Sequence, residues 1–390
     1  MSLWDELVGQ EAAIEAVRHA AQPGSASMTH AWMIVGPAGS GRSTLALAFA
    51  ATLVSQGDDD QALALVSAGT HPDVSVISTD RVTISIDEVR ELVTQSYYAP
   101  SRSRWRVIVM EDADRMTERT SNVLLKALEE PPPQTVWILC APSTQDVLPT
   151  IQSRVRTITL RTPSAEQVAE LIHRREGVSH ERALEAAREA QCHIGMATRL
   201  ATDDDARSRR DHTVQAVLQL RSVSQAVTQA GALIAVANED QKALLEKLDE
   251  QEREETLRSL GIQPGGSVPA AVRSSVKALE ENQKRRATRS LRDGVDRICT
   301  DITSVLRDVL MIQLGAGGDL VNERFRAQLE QRASDTTAAH SLAAIDEVQV
   351  ARDRIASNTP PQLALEAMLI AVSGRVPDVG ASSRSVRAIR

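Results

Sequence analysis

Short apolar runs alternate with stretches of helical spacing over the first 160 residues, the pattern of an α/β domain with a mainly parallel sheet. Ala31-Trp32-Met33-Ile34-Val35 is a continuous apolar run that stops at Gly36, as a strand buried on both faces does. Residues 43–54, rich in Ala and Leu, predict a helix. Residues 74–77 are a short strand candidate. Ile86, Val89, Leu92 and Val93 recur at helical spacing over 86–96. Val107-Ile108-Val109-Met110 reads as a core strand closed by the acidic cluster Glu111-Asp112-Ala113-Asp114. A helix over 117–130 must end at Pro131-Pro132-Pro133, because proline lacks the N–H and clashes with the preceding turn. Two further strands are expected at 135–140 and 156–160.

The pattern changes after Arg161-Thr162-Pro163. Residues 164–201 read as short amphipathic helices, enough for a three-helix lid, and the polar stretch 202–210 reads as a linker. The remainder is helical in pattern. Residues 240–260 are dense in charge, and Pro264, Gly265, Gly266 and Pro269 break the pattern, which predicts a helical hairpin that is partly a solvated arm. A long pattern over 272–314 stops at Gly315-Ala316-Gly317-Gly318. Near the end, Leu363, Leu365, Met368, Leu369 and Val372 fall at near-helical spacing, which predicts an apolar face available for oligomerisation. The expected domains are 1–162, a nucleotide-binding fold; 163–205, the lid; and 206–390, a helical oligomerisation region.

Composition narrows the function. The 390 residues are 42% hydrophobic and 25% charged, with 15 prolines and a net charge of −8, so the chain is an ordinary globular protein without a global basic field for DNA. Aromatic residues are 2% of the chain, too few for a base-stacking platform, so any contact with nucleic acid must be local or lent by partners. Cys140, Cys192 and Cys299 stand far apart; they suit a reducing compartment and offer no zinc knuckle. The start, Met1-Ser2-Leu3-Trp4-Asp5-Glu6, is acidic where a signal peptide is basic, and no apolar run approaches the ~18 residues of a membrane span. A cytoplasmic location is expected.

Three groups of residues bear on chemistry. Gly36-Pro37-Ala38-Gly39-Ser40-Gly41-Arg42-Ser43, followed by Thr44, matches the phosphate-loop pattern G-x-x-x-x-G-K-S/T except that Arg42 replaces lysine. Its glycines would let backbone N–H groups curl around phosphates at a helix N-terminus, but arginine is longer and planar and does not replace a compact ammonium. Either the loop holds ATP weakly or it keeps the shape for folding alone. At the next strand end, phosphate-loop ATPases use Asp then Glu for magnesium and for the attacking water. Here Glu111-Asp112 reverses the lengths, moving each carboxylate by about one methylene, a shift that can cost ~100-fold in a positioned reaction. Capping of the next helix and weak magnesium binding are both open. The third group is Ser153-Arg154, where an arginine at the edge of the fold could be a surface ion pair or a finger lent to a neighbour's phosphates. His30, His71 and His193 read as polar turn or helix-end residues, Arg102, Arg104 and Arg106 around Trp105 as a solvated strand entrance in preference to a DNA contact, and Lys284-Arg285-Arg286 as a solvated helix face.

Together these segments resemble the bacterial DNA polymerase III clamp-loader subunits, on their delta prime side. The likeness is carried by Leu7-Val8-Gly9-Gln10, Thr29-His30-Ala31-Trp32, Thr70-His71-Pro72-Asp73-Val74 and, above all, Ser121-Asn122-Val123-Leu124-Leu125-Lys126-Ala127-Leu128-Glu129-Glu130-Pro131-Pro132. Ser153-Arg154-Val155 stands at the family's Ser-Arg-Cys motif, and residues 358–366 resemble the last helix of its collar. The resemblance is strong over 1–205 and weaker beyond. It implies an AAA+ module, a lid and a helical collar within a hetero-pentamer of tau/gamma and delta subunits that uses ATP to place the sliding clamp on primed DNA. It also implies that Arg154, with Ser153, acts in trans on the adjacent subunit's ATP.

Departures from the family matter. Its four zinc-binding cysteines are missing from 52–69, where Gly57-Asp58-Asp59-Asp60 stands instead, so no zinc is expected. Where nucleotide-binding members carry Gly-x-x-Arg in the lid, this chain has Gly195-Met196-Ala197-Thr198, with Arg199 one place late. The expected protein is a non-hydrolysing stator with no tightly bound cofactor: ATP and magnesium sit on partner subunits only, and Gly36, Gly39, Gly41, Arg42, Ser43, Thr44, Glu111 and Asp112 form a degenerate site. The alternative is an active ATPase of the tau/gamma type with Arg42 standing in for lysine. A regulatory switch protein built on the same fold has no DNA-reading module in the sequence to support it.

Overall fold

Alternate residues of the apolar strands supply two separate cores, one on each face of a five-stranded parallel sheet. The structure, a computed structural model, describes residues 3–56, 59–78, 83–259 and 273–374. It divides into two compact units, residues 1–202 and 203–390. The elements of the first unit are α1 (Glu11–Ala21), β1 (Ala31–Val35), α2 (Arg42–Val54), α3 (Asp59–Ser67), β2 (Val74–Ile77), α4 (Ile86–Ser96), β3 (Arg106–Met110), α5 (Glu118–Glu129), β4 (Thr135–Ala141), α6 (Pro149–Gln152) and β5 (Arg156–Thr159). Three further helices complete it: α7 (Ala165–Glu176), α8 (His180–Glu189) and α9 (Ile194–Thr202).

The strand order is β2-β3-β4-β1-β5, with every neighbouring pair parallel. Trp32, Ile34, Val107, Val109, Ile138 and Cys140 face a core shared with α1, α2 and α3. Met33, Val35, Ile108, Met110, Trp137 and Leu139 face the other, shared with α4 and α5. All twelve side chains are almost completely buried, which is why these strands read as unbroken apolar runs. The expected α/β class with a mainly parallel sheet is found, followed by helical regions.

The turn between α4 and β3 hangs on one buried carboxylate. Asp73 accepts the backbone N–H groups of Ser101, Arg102 (2.8 Å) and Ser103 (2.8 Å) and the Ser101 hydroxyl. Burial pushes the Asp73 pKa up, but these donors outweigh it and hold the carboxyl well below the usual range. Arg106, 3.8 Å from Asp73, satisfies the other side of the turn by donating to the carbonyls of Tyr98 (2.9 Å) and Ala99 (3.4 Å). Arg106 is therefore buried, and the expectation of a solvated strand entrance fails there: the cation is needed to satisfy backbone oxygens the turn cannot pair itself. Arg104 remains exposed and lies over Trp105 at 5.3 Å. His71, whose pKa burial lowers, accepts from the Asp73 N–H at 3.1 Å, a turn role as expected.

The second unit comprises α10 (Asp204–Leu218), α11 (Val223–Ser259), α12 (Arg273–Gln313), α13 (Arg326–Asp335), α14 (Ala338–Ala356) and α15 (Pro361–Val372). Residues 204–210 of the expected 202–210 linker are helix. Asp203 caps α10 by accepting the N–H groups of Asp205 and Ala206. Arg209 then pairs with Asp240 and Arg210 with Asp301, so the charges that suggested a linker are internal ion pairs. Helices α11 and α12 form the expected hairpin. Arg286 pairs with Asp249 at 2.8 Å and with Glu252, so this member of the basic trio is a bridge across the hairpin. The Pro264-to-Pro269 break, like Gly57 and Asp58, lies outside the described residues.

Helix α15 corrects another expectation. Leu365, Met368, Leu369 and Val372 are 0–1% exposed within their own unit, whereas Leu363 is 56% exposed. The apolar face is core and cannot also be a free surface for assembly. Beneath it, Arg332 donates to the carbonyls of Leu220 and Val372, both at 2.9 Å, tying the end of α15 to the start of α11.

Two outcomes follow. Met368→Ala should lower the stability of the second unit by about 2–5 kcal/mol, read as an earlier denaturant midpoint, since it empties a fully buried site. Asp73→Asn should cost about 1–3 kcal/mol at pH 7 through weakened charged hydrogen bonds. Because the native carboxyl titrates below its unfolded value near 4, Asp73 stabilises above that pH and loses its contribution as pH falls. The gap between wild type and Asp73→Asn in thermal melts should accordingly narrow below about pH 4.

Candidate functional site

Parallel strands put all their carboxyl ends on one side, so β1 and β3 deliver two of the expected groups to the same edge. Val35 pairs with Ala141 and Met110 with Leu139, which places Gly36 and Glu111 within two residues of the same height with β4 between them. The phosphate loop and the Glu111-Asp112 pair are thus brought together. Cys140, at the end of β4, senses both: burial pushes its thiol up to about 12, Glu111 and Asp112 add to the rise, and the Arg42 cation opposes it. Asp114 is likewise raised, first by burial and then by the neighbouring Asp112, with Arg115 and Arg42 acting against the shift.

The loop has phosphate-loop shape. Gly39 and Gly41 take φ of +74° and +93°, and Gly41 caps α2, whose first turn carries Arg42, Ser43 and Thr44. Each glycine is also locked by a neighbour. A Cβ on Gly36 would lie 2.8 Å from both Leu160 Cβ and Ser40 Oγ, and one on Gly41 would lie 2.9 Å from Leu7. A Cβ on Gly39 would fall 2.3 Å from the His193 ring, which sits in the turn between α8 and α9. Gln191 and Cys192 take left-handed φ of +50° and +64°, and this uncommon pair of turns brings His193 onto Gly39. The Ile194 N–H reaches the Gly39 carbonyl at 3.4 Å, and His193 Nδ1 accepts the Met196 N–H at 3.2 Å. His193 was expected as a turn residue and is one; its seat on the phosphate loop is what sequence spacing did not reveal.

The residues fit a bound nucleotide poorly. The His193 ring lies against Gly39 of the loop, and the strand-end carboxylates have the reversed lengths. Thr198, where the resemblance leads one to expect an arginine, donates its hydroxyl to the Ile194 carbonyl at 3.0 Å. Two polar atoms point the other way: Ser40 Oγ and Arg42 Nη1 are buried without a hydrogen-bond partner.

Ser153 and Arg154 lie elsewhere. They precede β5, whose Arg156 pairs with Trp32 near the start of β1, so Arg154 stands at the amino-terminal end of the sheet. About six residues of strand rise separate that level from Gly36, roughly 20 Å at ~3.3 Å per residue. Arg154 therefore faces away from its own phosphate loop. Its Nη2 meets Glu129 Oε1 at 2.6 Å, and Nη1 donates to the Thr150 carbonyl at 2.6 Å and to Ser153 Oγ at 3.0 Å. The side chains of Arg154 and Glu129 are 34% and 49% exposed. Glu129 was quoted above only as part of a motif; its position before the proline run is the sole sequence signal for this contact. His30 Nε2, 2.9 Å from the Leu128 carbonyl, fastens the same corner. Among the described residues no cluster of three or more His, Cys, Asp or Glu is arranged to hold a metal ion, and no helix is long and apolar enough to cross a membrane.

Residues 9–164 match the family model described as DNA polymerase III, delta subunit. The DNA polymerase III subunit delta' of Pseudomonas aeruginosa is 36% identical over 140 residues, 34% of this chain and 43% of that protein. A DNA polymerase III subunit gamma/tau of Mycobacterium bovis is 31% identical over 157 residues, 38% of this chain and 27% of that protein. The aligned part thus spans less than half of either relative. A DNA polymerase III gamma subunit-related protein of Thermotoga maritima superposes with a TM-score of 0.43 at 15% identity, covering 94% of this chain and 98% of the other. Residues 9–164 thus carry a similarity to the DNA polymerase III delta subunit family, and delta' subunits of three bacteria are 30–36% identical to this chain over 140–164 residues.

Proposed function

We propose that this chain is a non-hydrolysing stator of a clamp loader, working in a hetero-pentamer with tau/gamma and delta subunits to load the sliding clamp on primed DNA. The observation that carries the reading is the placement of Arg154. A half-exposed guanidinium at the amino-terminal end of the sheet, roughly 20 Å from the chain's own phosphate loop, has no phosphate of its own to serve. A neighbour packed against this edge could receive it, and guanidinium suits charge developing on a transferring phosphoryl group because it stays protonated and forks. The loop that would bind this chain's own nucleotide has His193 packed against Gly39, lacks the lysine and faces carboxylates of the wrong length. On this reading ATP and magnesium belong to partner subunits, no zinc is held, and DNA is met only through the assembled complex.

A second reading, an active ATPase of the tau/gamma type, is favoured by one observation: Arg42 Nη1 and Ser40 Oγ are buried without partners, as donors awaiting an anion would be. The two readings part on the isolated chain. The stator should show no steady ATP turnover and at most weak nucleotide binding in titration calorimetry. A steady turnover abolished by Gly41→Val would establish the ATPase.

In a reconstituted complex, Arg154→Ala should leave the melting temperature and pentamer assembly unchanged. It should depress DNA-stimulated ATPase modestly, since the finger completes one site among several, and clamp loading by roughly 10-fold or more. Arg154→Lys should rescue poorly because the fork is lost. Normal loading by Arg154→Ala would reduce the arginine to a surface ion pair.

A further inference from the structure

We infer that Glu129 is the positioning residue of Arg154, an inference that rests on the reading of Arg154 as a finger lent to a neighbour. An arginine on a short turn has four rotatable side-chain torsions and loses rotamer entropy when it is fixed. Arg154 is fixed from two sides. The local side is its own turn, where Nη1 donates to the Thr150 carbonyl and Ser153 Oγ. The distant side is Glu129, which meets Nη2 at 2.6 Å from another element.

That carboxylate is itself anchored. Glu129 is the last residue of α5, directly after Ala127 and Leu128, which are 0% and 1% exposed. The Leu128 carbonyl is held by His30, and Pro131 stops the helix from continuing. The corner that carries Glu129 is therefore fixed by burial, by a hydrogen bond and by the proline that ends the helix.

Fold stability does not account for the pair. A half-exposed ion pair adds little to stability, and a carboxylate in the last turn of a helix is repelled by the negative end of the helix dipole. Glu129 is thus in an unfavourable place for its charge, offset by Arg154. What the arrangement does supply is direction: with the guanidinium held between Glu129 and Thr150, the finger meets an incoming phosphoryl group without first selecting a rotamer. Pre-set geometry of this kind is worth up to ~100-fold in a positioned reaction.

The test is a double-mutant cycle in the reconstituted complex with ATP, clamp and primed DNA. Glu129→Ala should slow clamp loading by roughly 3- to 10-fold. It should lower the ATPase kcat with KM for ATP unchanged, and leave the melting temperature in place. Glu129→Asp, which keeps the charge, should recover part of the loss. Glu129→Gln, which keeps the size, should recover less. The double variant Glu129→Ala/Arg154→Ala should lose no more than Arg154→Ala alone, because Glu129 acts only through Arg154. Additive losses, or a Glu129→Ala complex that loads normally while Arg154→Ala does not, would overturn the inference and leave the finger standing. If Arg154→Ala itself loads normally, the finger reading fails and this inference falls with it.

Discussion

A parallel sheet buried on both faces constrains everything else in the first unit. Each of the five strands must run the same way, so each returns through a connection over one face, and every strand has its carboxyl end on a single edge. That polarity sorts the chemistry. Residues that follow strands, Gly36 to Ser43 and Glu111-Asp112, gather at one edge. Residues that precede strands, Glu129 before β4 and Arg154 before β5, gather at the other. The separation of the arginine from its own phosphate loop is thus a property of topology, and no side-chain rearrangement within the domain could close it.

Buried charges serve this frame by completing backbone hydrogen bonds where regular structure cannot. Asp73 collects N–H groups and Arg106 carbonyls on the two sides of one turn. The second unit repeats the device with other residues: Asp308 accepts the N–H groups of Val321 and Asn322, Asn322 links to Ser304, and Arg210 donates to Asn322. In each case the ion is worth keeping because the alternative is several unpaired peptide groups. Catalytic potential and structural necessity therefore use the same residue types here, and only the surroundings tell them apart. Arg106, Arg210 and Arg332 are closed in by carbonyls and carboxylates, whereas Arg154 is partly open.

What could be read from sequence follows the same physics. Continuous apolar runs between glycine and proline signals have one strong solution, and β1, β2, β3 and β4 fall within one residue of expectation at each end. Charge was the less legible signal. The stretch 202–210 looked like a linker because its charges had no visible partners; Asp240 and Asp301 lie far along the chain. The apolar stripe of α15 looked like an interface because a single helix does not show what covers it. At the site, the loop and the acidic pair were visible as local motifs. Glu129 on Arg154 and His193 on Gly39 were not, since both contacts join segments that only the fold brings together.

The three glycines of the phosphate loop are each held by something other than phosphate: Gly36 by Leu160 and Ser40, Gly39 by His193, Gly41 by its left-handed turn and Leu7. Loss of nucleotide would not release any of them, because a side chain at these positions would strain the backbone or strike a neighbour. The motif can outlive its ligand as a folding requirement. In chains of this architecture, then, a glycine pattern reports the shape of a turn, and the identity of the residue after the last glycine is the better witness to whether ATP was ever meant to enter.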